Sequence, residues 1–253
     1  MIYNIREIKL TRKQSQIIHI VFKFRFIALT SLSEYLSTDK GSLFRRLKIL
    51  VDMGILVKDY DPHWRIDRKP AEYSLSPLAL KLLRKEDLDT KTLHSMYNNK
   101  RILRSARQHC LDIMQLTCTL KQQYADEFYY YTANDLAGQR EFPIPRPSLY
   151  LTRVKPSSEL TNNYFIELCH TAQPFIVRAR FKALLQHYDD EGWPDGEYPI
   201  LLFILETERQ EKNFSKFAQA TLDSAGIDEL TVHATTFEKF LSSSSLASIK
   251  TTA

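Results

Sequence analysis

Cationic and hydroxyl side chains lie close together in residues 40 to 48, in a segment that is otherwise largely apolar. These polar residues are Lys40, Ser42, Arg45, Arg46 and Lys48. An arginine guanidinium can pair with guanine through two hydrogen bonds, or it can clamp a phosphate group. The residue types therefore predict contact with a nucleic acid. A solvated helix face and a protein contact surface are the alternative interpretations.

A second basic cluster occurs in the stretch "HWRIDRKP", where Arg65, Arg68 and Lys69 fall within five residues. Such side chains neutralise backbone phosphates and make the affinity for a nucleic acid depend on salt. Trp64, in the same stretch, either stacks on the bound partner or packs on its own domain. The sequence leaves these two roles for Trp64 open.

Charge is distributed unevenly along the chain. Residues 1–122 contain 23 Lys and Arg against 12 Asp and Glu, whereas residues 123–253 contain 12 against 18. A basic half and a mildly acidic half predict that one part of the chain meets a polyanion and that the other has a different task. Uneven but solvated surfaces are the alternative.

Several classes of protein are disfavoured by the composition. The 253 residues are 43% hydrophobic, which is typical of a folded protein, and no apolar run approaches the roughly 18 residues of a membrane span. The N-terminus lacks the apolar core of a signal peptide, so we expect a cytoplasmic protein. The three cysteines lack CxxC spacing, and the chain has no glycine-rich phosphate loop, nucleophile elbow or HExxH. No disulfide, zinc site or cofactor is expected.

Residues 1–85 predict three helices, a hairpin and a further helix. The first helix is read from "TRKQSQIIHIVFKFRFIA", with Thr11 as its N-cap, "LTSLSEYL" forms the second, and Gly54 ends the third. The third helix has one apolar stripe, made by Leu43, Leu47, Leu50 and Val51. "ILVKDY" and "EYSLS" predict strands on either side of the basic "HWRIDRKP" stretch, and "PLALKLLRK" predicts a helix with proline at its first position.

This order of elements resembles the winged helix-turn-helix superfamily over roughly residues 10–85. The resemblance rests on "LFRRLKILVDMGILVKDY" followed by "AEYSLSPLALKLL". It implies that the third helix enters the major groove of double-stranded DNA, with Lys40, Ser42, Arg45 and Arg46 on the turns nearest the bases. It also implies that the hairpin tip reaches the DNA backbone or the minor groove.

Residues 86–127 predict a long linker helix, read from "NNKRILRSARQHCLDIMQLTCTLKQQYADEF". Its first turns contain basic residues that would flank bound DNA, namely Lys100, Arg101, Arg104 and Arg107. Heptad-like spacing relates Leu103, Ala106, Cys110, Ile113, Thr117 and Leu120. This face is either the seam of a homodimer or an intrachain packing surface.

Residues 128–241 alternate strand and helix patterns, beginning with "EFYYYT" and including the continuous apolar run "YPILLFILE". Such alternation predicts an α/β domain with a mixed sheet. Residues 242–253, rich in serine and threonine, predict a flexible tail.

Taken together, both halves resemble the replication-relaxation family of plasmids and mobile elements, which pairs a winged helix with a restriction-endonuclease-like domain. The resemblance rests on "RPSLYL", "YFIELCH", "RARFKALLQHY" and "YPILLFIL", in that order. It implies that Ser148 stands where the family often has aspartate, that Glu167 matches the family glutamate, and that Cys169 replaces the lysine of active nucleases. Phosphodiester hydrolysis in that fold needs both acids for Mg²⁺ and the lysine for the attacking water.

The metal site is therefore expected to be vestigial, with Glu167 its remaining candidate ligand. Glu167 and His170 would bind a ligand, or Glu167 would instead form a salt bridge with Arg178 or Arg180 on the following helix.

Three functional hypotheses follow. The first is a non-enzymatic, sequence-specific accessory protein of plasmid replication or conjugative mobilisation, acting as a homodimer on double-stranded DNA with a relaxase or replication protein as partner. The second is a metal-dependent nuclease. The third is a transcription regulator whose α/β domain senses a ligand. Ser148 and Cys169 argue against the nuclease, and no residue separates the first hypothesis from the third.

Overall fold

The computed structural model describes residues 9–66, 69–84, 88–124, 128–153, 162–194 and 196–242. The chain divides into two compact units, Met1–Cys118 and Thr119–Ala253. Each unit combines helices with a sheet, and the sheet of the second is mixed. The chain is therefore of the α+β class. The predicted flexible tail, from residue 243 onward, lies outside the described residues.

The first unit contains a small antiparallel sheet among helices. Its elements in chain order are α1 (Arg12–Phe24), β1 (Phe26–Ala28), α2 (Leu29–Leu36), α3 (Lys40–Asp52), β2 (Leu56–Asp59), β3 (Glu72–Leu75), α4 (Pro77–Leu83) and α5 (Thr90–Met96). A long helix, α6 (Arg104–Tyr124), crosses the boundary between the units. The strand order is β1–β3–β2, so β3 is central and pairs Ile27 with Tyr73 on one side and Leu56 with Leu75 on the other.

Burial of one stripe fixes the orientation of α3 in the first unit. Leu43, Leu47 and Leu50 are each at most 1% exposed, and α3 packs against α2 and β2. The helix begins where the Asp39 carboxylate accepts a hydrogen bond from the Ser42 backbone N–H at 2.8 Å. Apolar burial therefore decides which face of α3 points outward.

A glycine stops α3 and turns the chain into the hairpin. Gly54 has φ of 70°, its N–H donates to the Val51 carbonyl at 2.8 Å, and the Ile55 N–H donates to the Leu50 carbonyl at 2.9 Å. These two bonds form a Schellman motif, which needs a left-handed residue at the position of Gly54. The helix stop predicted at Gly54 is confirmed.

Two predictions about element boundaries are wrong. Residues 26–28, predicted as part of the first helical segment, form β1, because the backbone of Phe26–Ala28 pairs with β3. Residues 86–127, predicted as one linker helix, instead contain α5, a 3₁₀ helix at Asn99–Arg101 and then α6, which starts only at Arg104. Pairing and packing between distant segments override the local helical pattern in both places.

The second unit is a five-stranded mixed sheet with helices. Its elements in chain order are β4 (Phe128–Thr132), β5 (Leu149–Arg153), β6 (Asn162–Leu168), α7 (Pro174–Asp189), β7 (Ile200–Leu205), α8 (Glu208–Ala225), β8 (Val232–Thr236) and α9 (Phe237–Ser242). The strands lie in chain order; β4–β5 and β5–β6 pair antiparallel, and β6–β7 and β7–β8 pair parallel. Parallel neighbours need crossovers, which α7 and α8 supply.

The core of the second unit is aromatic and aliphatic. Phe165 on β6, Phe181 on α7, Phe203 on β7 and Phe214 on α8 are all buried and belong to one cluster. The rings of Phe203 and Phe214 have centroids 4.3 Å apart, and Phe181 meets both rings edge-on. Helices α7 and α8 therefore share an aromatic core with β6 and β7.

We predict that Gly54→Ala lowers the free energy of unfolding by about 1–2 kcal/mol, because a Cβ disfavours left-handed backbone. Apart from Gly54 and its chain neighbours, no atom of the described residues lies within 4 Å of the added Cβ, so the cost is conformational and not steric. Urea unfolding followed by circular dichroism measures the change. Gly54→Asn is the matched control and should lose less, since asparagine tolerates this conformation. Equal losses in the two variants would contradict the explanation.

Candidate functional site

The outward face of α3 carries the basic side chains that were predicted from the sequence to bind DNA. Lys40, Arg45 and Lys48 are exposed, while Ser42 and Arg46 are half-buried. Among the described residues, none of the four cationic side chains takes part in a hydrogen bond or an ion pair. No side chain in direct contact therefore neutralises these four positive charges, and they are available to an external anion.

Two large apolar side chains interrupt this cationic face, and they were missed at the level of the sequence. Phe44 is 46% exposed and Ile49 is 47% exposed. A signal for them existed, because Phe44 lies four residues from both Lys40 and Lys48, and Ile49 lies four residues after Arg45. Side chains four residues apart are neighbours on a helix surface, so the exposed face is mixed in character and not purely basic.

The hairpin between β2 and β3 places Trp64 inward. Trp64 is 9% exposed, the Arg104 guanidinium lies 5.3 Å from the centroid of its ring, and Tyr60 meets it edge-on at 6.3 Å. Of its two predicted roles, the structure favours packing on its own unit over stacking on a partner. Lys69 is exposed, and its backbone N–H donates to the Trp64 carbonyl at 2.8 Å. The Arg65 side chain and Arg68 lie outside the described residues.

Arg107, one of the predicted flanking residues, is engaged by side chains of its own unit. Its guanidinium forms an ion pair with Asp59, lies 3.7 Å from a carboxylate oxygen of Glu72, and is 5.3 Å from the ring centroid of Phe26. Glu72 is buried, and the loss of water raises the pKa of its carboxyl more than Arg107 lowers it. Arg107 therefore ties α6 to both strands of the hairpin, and we withdraw it from the predicted flanking DNA contacts.

The other three predicted flanking residues stay at the surface. Lys100 and Arg101 are exposed on the 3₁₀ helix and not on α6, and Arg104 is exposed at the start of α6. The 3₁₀ helix is fastened by Arg25, whose Nε donates to the Asn99 side-chain oxygen at 2.9 Å and whose Nη2 donates to the Ser95 carbonyl at 3.0 Å. No sequence pattern indicated this anchoring role for Arg25.

The heptad-like face of α6 is not one continuous exposed seam. Leu103 and Ala106 are exposed, whereas Ile113, Thr117 and Leu120 are buried within the chain. The Thr117 hydroxyl also donates to the Ile113 carbonyl at 2.8 Å. Of the two predicted roles, intrachain packing is the one the structure supports for the buried half of this face, so a homodimer seam that runs through Ile113 is not favoured.

In the second unit, Glu167 is buried beside the guanidinium of Arg180. Its Oε2 accepts hydrogen bonds from Arg180 Nη2 at 2.8 Å and Nε at 3.2 Å, and its Oε1 has no partner in the described residues. Burial raises the pKa of the Glu167 carboxyl to about 7, against the lowering effect of Arg180. The alternative of a salt bridge is therefore the observed one, with Arg180 and not with Arg178, whose guanidinium lies over the Phe217 ring.

The other two positions of the predicted nuclease motif, Ser148 and Cys169, are also unable to supply a metal-binding carboxylate or a cation. The Ser148 hydroxyl oxygen accepts a hydrogen bond from the Leu168 backbone N–H at 3.1 Å. Cys169 is 4% exposed, and burial raises the pKa of its thiol, which therefore stays protonated. His170 stacks on the Phe237 ring with centroids 4.7 Å apart. The structure thus places the Ser148 hydroxyl against the backbone of the residue after Glu167, and the three positions Ser148, Glu167 and Cys169 supply one carboxylate and no lysine.

Within the described part of the chain, no group of three or more His, Cys, Asp or Glu side chains is placed to hold a metal ion. No helix of the described residues is long and apolar enough to span a membrane.

Comparison with protein-family models, curated proteins and solved structures finds no match for this chain. The resemblance to the replication-relaxation family therefore stays a prediction.

We predict that the buried Glu167 makes the unfolding free energy fall as pH rises from about 4.5 to about 7. The carboxyl has an ordinary pKa of 4.5 and a pKa of about 7 in the folded chain, so the folded state holds the proton more tightly. The stabilisation is fully present below pH 4.5 and is lost by about pH 7. Glu167→Gln removes this dependence, which urea titrations across that pH range would measure.

Glu229→Gln provides the matched control, because it neutralises an exposed carboxylate of the same unit. This control should keep the wild-type slope of unfolding free energy against pH. If Glu167→Gln has the wild-type slope as well, the carboxyl does not titrate in that window and the interpretation fails.

Proposed function

We propose that this chain is a non-catalytic, sequence-specific protein that binds double-stranded DNA through α3. The observation that carries the proposal is the outward face of α3, on which Lys40, Arg45, Arg46 and Lys48 have no acidic partner among the described residues. Uncompensated cations on one helix face match the charge and the donor requirement of phosphates and of guanine edges.

The arrangement of the first unit supports a winged helix-turn-helix as the DNA-binding module. Helices α1, α2 and α3 accompany a three-stranded sheet of order β1–β3–β2, and the β2–β3 hairpin follows α3 directly. In such modules the third helix lies in the major groove and its first turns approach the bases. Lys40 and Arg45 would then contact bases or nearby phosphates, and Lys69 on the hairpin would contact the backbone.

The second unit supports the non-catalytic part of the proposal. A meander β4–β5–β6, followed by α7 and a strand parallel to β6, is the arrangement expected of a restriction-endonuclease-like core. The only carboxylate of its candidate motif, Glu167, is paired with Arg180. A hard cation such as Mg²⁺ prefers several oxygen ligands, and its bound water needs a base or cation nearby.

We further propose that the protein is an accessory factor of plasmid replication or conjugative mobilisation. This process rests on the resemblance to the replication-relaxation family, with a relaxase or replication protein as the partner. One winged helix covers a short site, so a second copy on a repeated or palindromic site would raise both affinity and specificity.

A transcription regulator is the second candidate, favoured by a cavity in the second unit. A cavity of about 200 Å³ lies between the start of α7 and the start of α8, with walls that include Val177, Leu205 and Phe214 and a rim that includes Arg178 and Asn213. A small effector would fit such a cavity. Recovery of bound fragments from a genomic or plasmid library separates the candidates, since promoters support regulation and replication or transfer origins support the accessory role.

We predict that the double variant Arg45→Ala/Arg46→Ala weakens binding to a selected duplex by about 1–3 kcal/mol for each base contact that is lost. Fluorescence anisotropy with a duplex recovered from a randomised library measures the change. Lys69→Ala should instead weaken binding to all sequences alike and lower the salt slope by about 1.

The matched control removes two exposed cations from α8, with Arg209→Ala and Lys212→Ala. Since α8 belongs to the second unit, this control should bind DNA as wild type does. Wild-type affinity in the Arg45→Ala/Arg46→Ala variant would exclude α3 as the DNA-recognition helix.

We also predict that the purified protein does not nick supercoiled plasmid in the presence of Mg²⁺ or Mn²⁺. Ser148 brings no carboxylate, Cys169 brings no cation, and Glu167 is held by Arg180. Agarose electrophoresis after prolonged incubation would show nicked and linear products. Metal-dependent cleavage that disappears in Glu167→Ala would overturn the non-catalytic assignment.

A further inference from the structure

The apolar residue at the centre of the basic face of α3 has no role in the proposed function so far. Phe44 is 46% exposed, although α3 buries Leu43 and Leu47 on either side of it in the sequence. A single exposed apolar side chain is ordinary on a protein surface. The informative feature of Phe44 is its place, one helical turn from Lys40 and one from Lys48.

Helix geometry puts Lys40, Phe44 and Lys48 in one row. Side chains separated by four residues lie about 5–6 Å apart at their Cβ atoms, so the ring of Phe44 stands between two cations. Both lysines are exposed and are without an ion pair in the described residues. If the lysines contact phosphates or acceptor groups on a duplex, the ring between them is brought against the groove.

The major groove offers one apolar group to such a ring. All four bases present hydrogen-bond acceptors or donors in the major groove. Among them, only thymine also presents a methyl group there, at C5. A phenylalanine has no hydrogen-bonding group, so it cannot read guanine, adenine or cytosine by donor and acceptor pattern. Apolar contact with the methyl group is the remaining way for Phe44 to distinguish one base from another.

We propose that Phe44 is a specificity-determining residue that reads the 5-methyl group of a thymine within the DNA site. The inference rests on the proposed function, because it needs α3 to lie in the major groove. It adds a chemical preference that the cationic residues do not give: at least one position of the site requires thymine, and an otherwise identical base without the methyl group is bound less tightly.

The helix supplies its own comparison residue. Ile49 is as exposed as Phe44, at 47%, but lies in the second half of α3, one turn beyond Arg45. Base contacts in helix-turn-helix proteins come from the N-terminal part of the recognition helix. Ile49 is therefore an apolar residue of similar exposure that we expect to be outside the base-reading turns.

The experiment uses the full chain and a duplex selected from a randomised library. Each thymine of the selected site is replaced in turn by deoxyuridine, which differs only by the missing methyl group. For wild-type protein and for Ile49→Ala, one replacement should raise the Kd about fourfold, the change expected when one methyl group loses its apolar contact. Phe44→Ala should bind the thymine and deoxyuridine duplexes equally, with the same salt slope as wild type.

The outcomes separate this inference from the proposed function. Binding that depends on Arg45 but is unaffected by every deoxyuridine replacement overturns the role of Phe44 and leaves DNA binding by α3 intact. Deoxyuridine sensitivity that persists in Phe44→Ala assigns the methyl group to another residue and also overturns the inference. An unchanged thermal unfolding midpoint in Phe44→Ala shows that the effect on binding is not a loss of fold, and the absence of DNA binding by wild-type protein rejects both proposals.

Discussion

Burial of Leu43, Leu47 and Leu50 is the constraint on which the candidate interface depends. These side chains fill the first unit at one face of α3, and each apolar side chain so buried contributes roughly 1.5–3 kcal/mol relative to exposure. Rotating α3 to bury its cations instead would lose that contribution and also strip water from unpaired charges. The hydrophobic core thus fixes the outward direction of Arg45 and Lys48, which are both exposed.

Local signals explain what could be predicted from the sequence. The stripe of α3 and its end at Gly54 depend on residues within one helix, and the crossover helix α7 depends on a run of apolar residues after a proline. The strand β1 was missed because three residues carry little pattern, and because Ile27 is held by pairing with Tyr73, far along the chain. In the same way, the charge of Arg107 was visible but its partner, Asp59, was not.

The Glu167–Arg180 pair could be predicted from the sequence only in part. A buried strand followed by a helix that returns over it limits the partners of Glu167 to a few positions, so the sequence could offer Arg178 or Arg180 but could not choose. The choice depends on rotation of α7, which is set by Val177, Phe181 and Leu184 in the core. A buried ion pair commonly adds little net stability, because desolvation offsets the attraction, yet leaving either charge alone is costly. The pair therefore adds little to the stability of the fold, but it limits which residues can replace Glu167 or Arg180 singly.

Several Asp and Glu side chains of the first unit have partners away from the basic face of α3. Asp39, Asp61 and Asp89 accept hydrogen bonds from the backbone N–H groups of Ser42, His63 and Thr92, each at a helix start. Asp59 and Glu72 are drawn to Arg107. Acids fixed in this way are not positioned to pair with the cations of α3 or with Lys100 and Arg101. Local capping and the ion pairs of Arg107 therefore engage these five acids elsewhere in the unit, whereas the four cations of α3 have no acidic partner among the described residues.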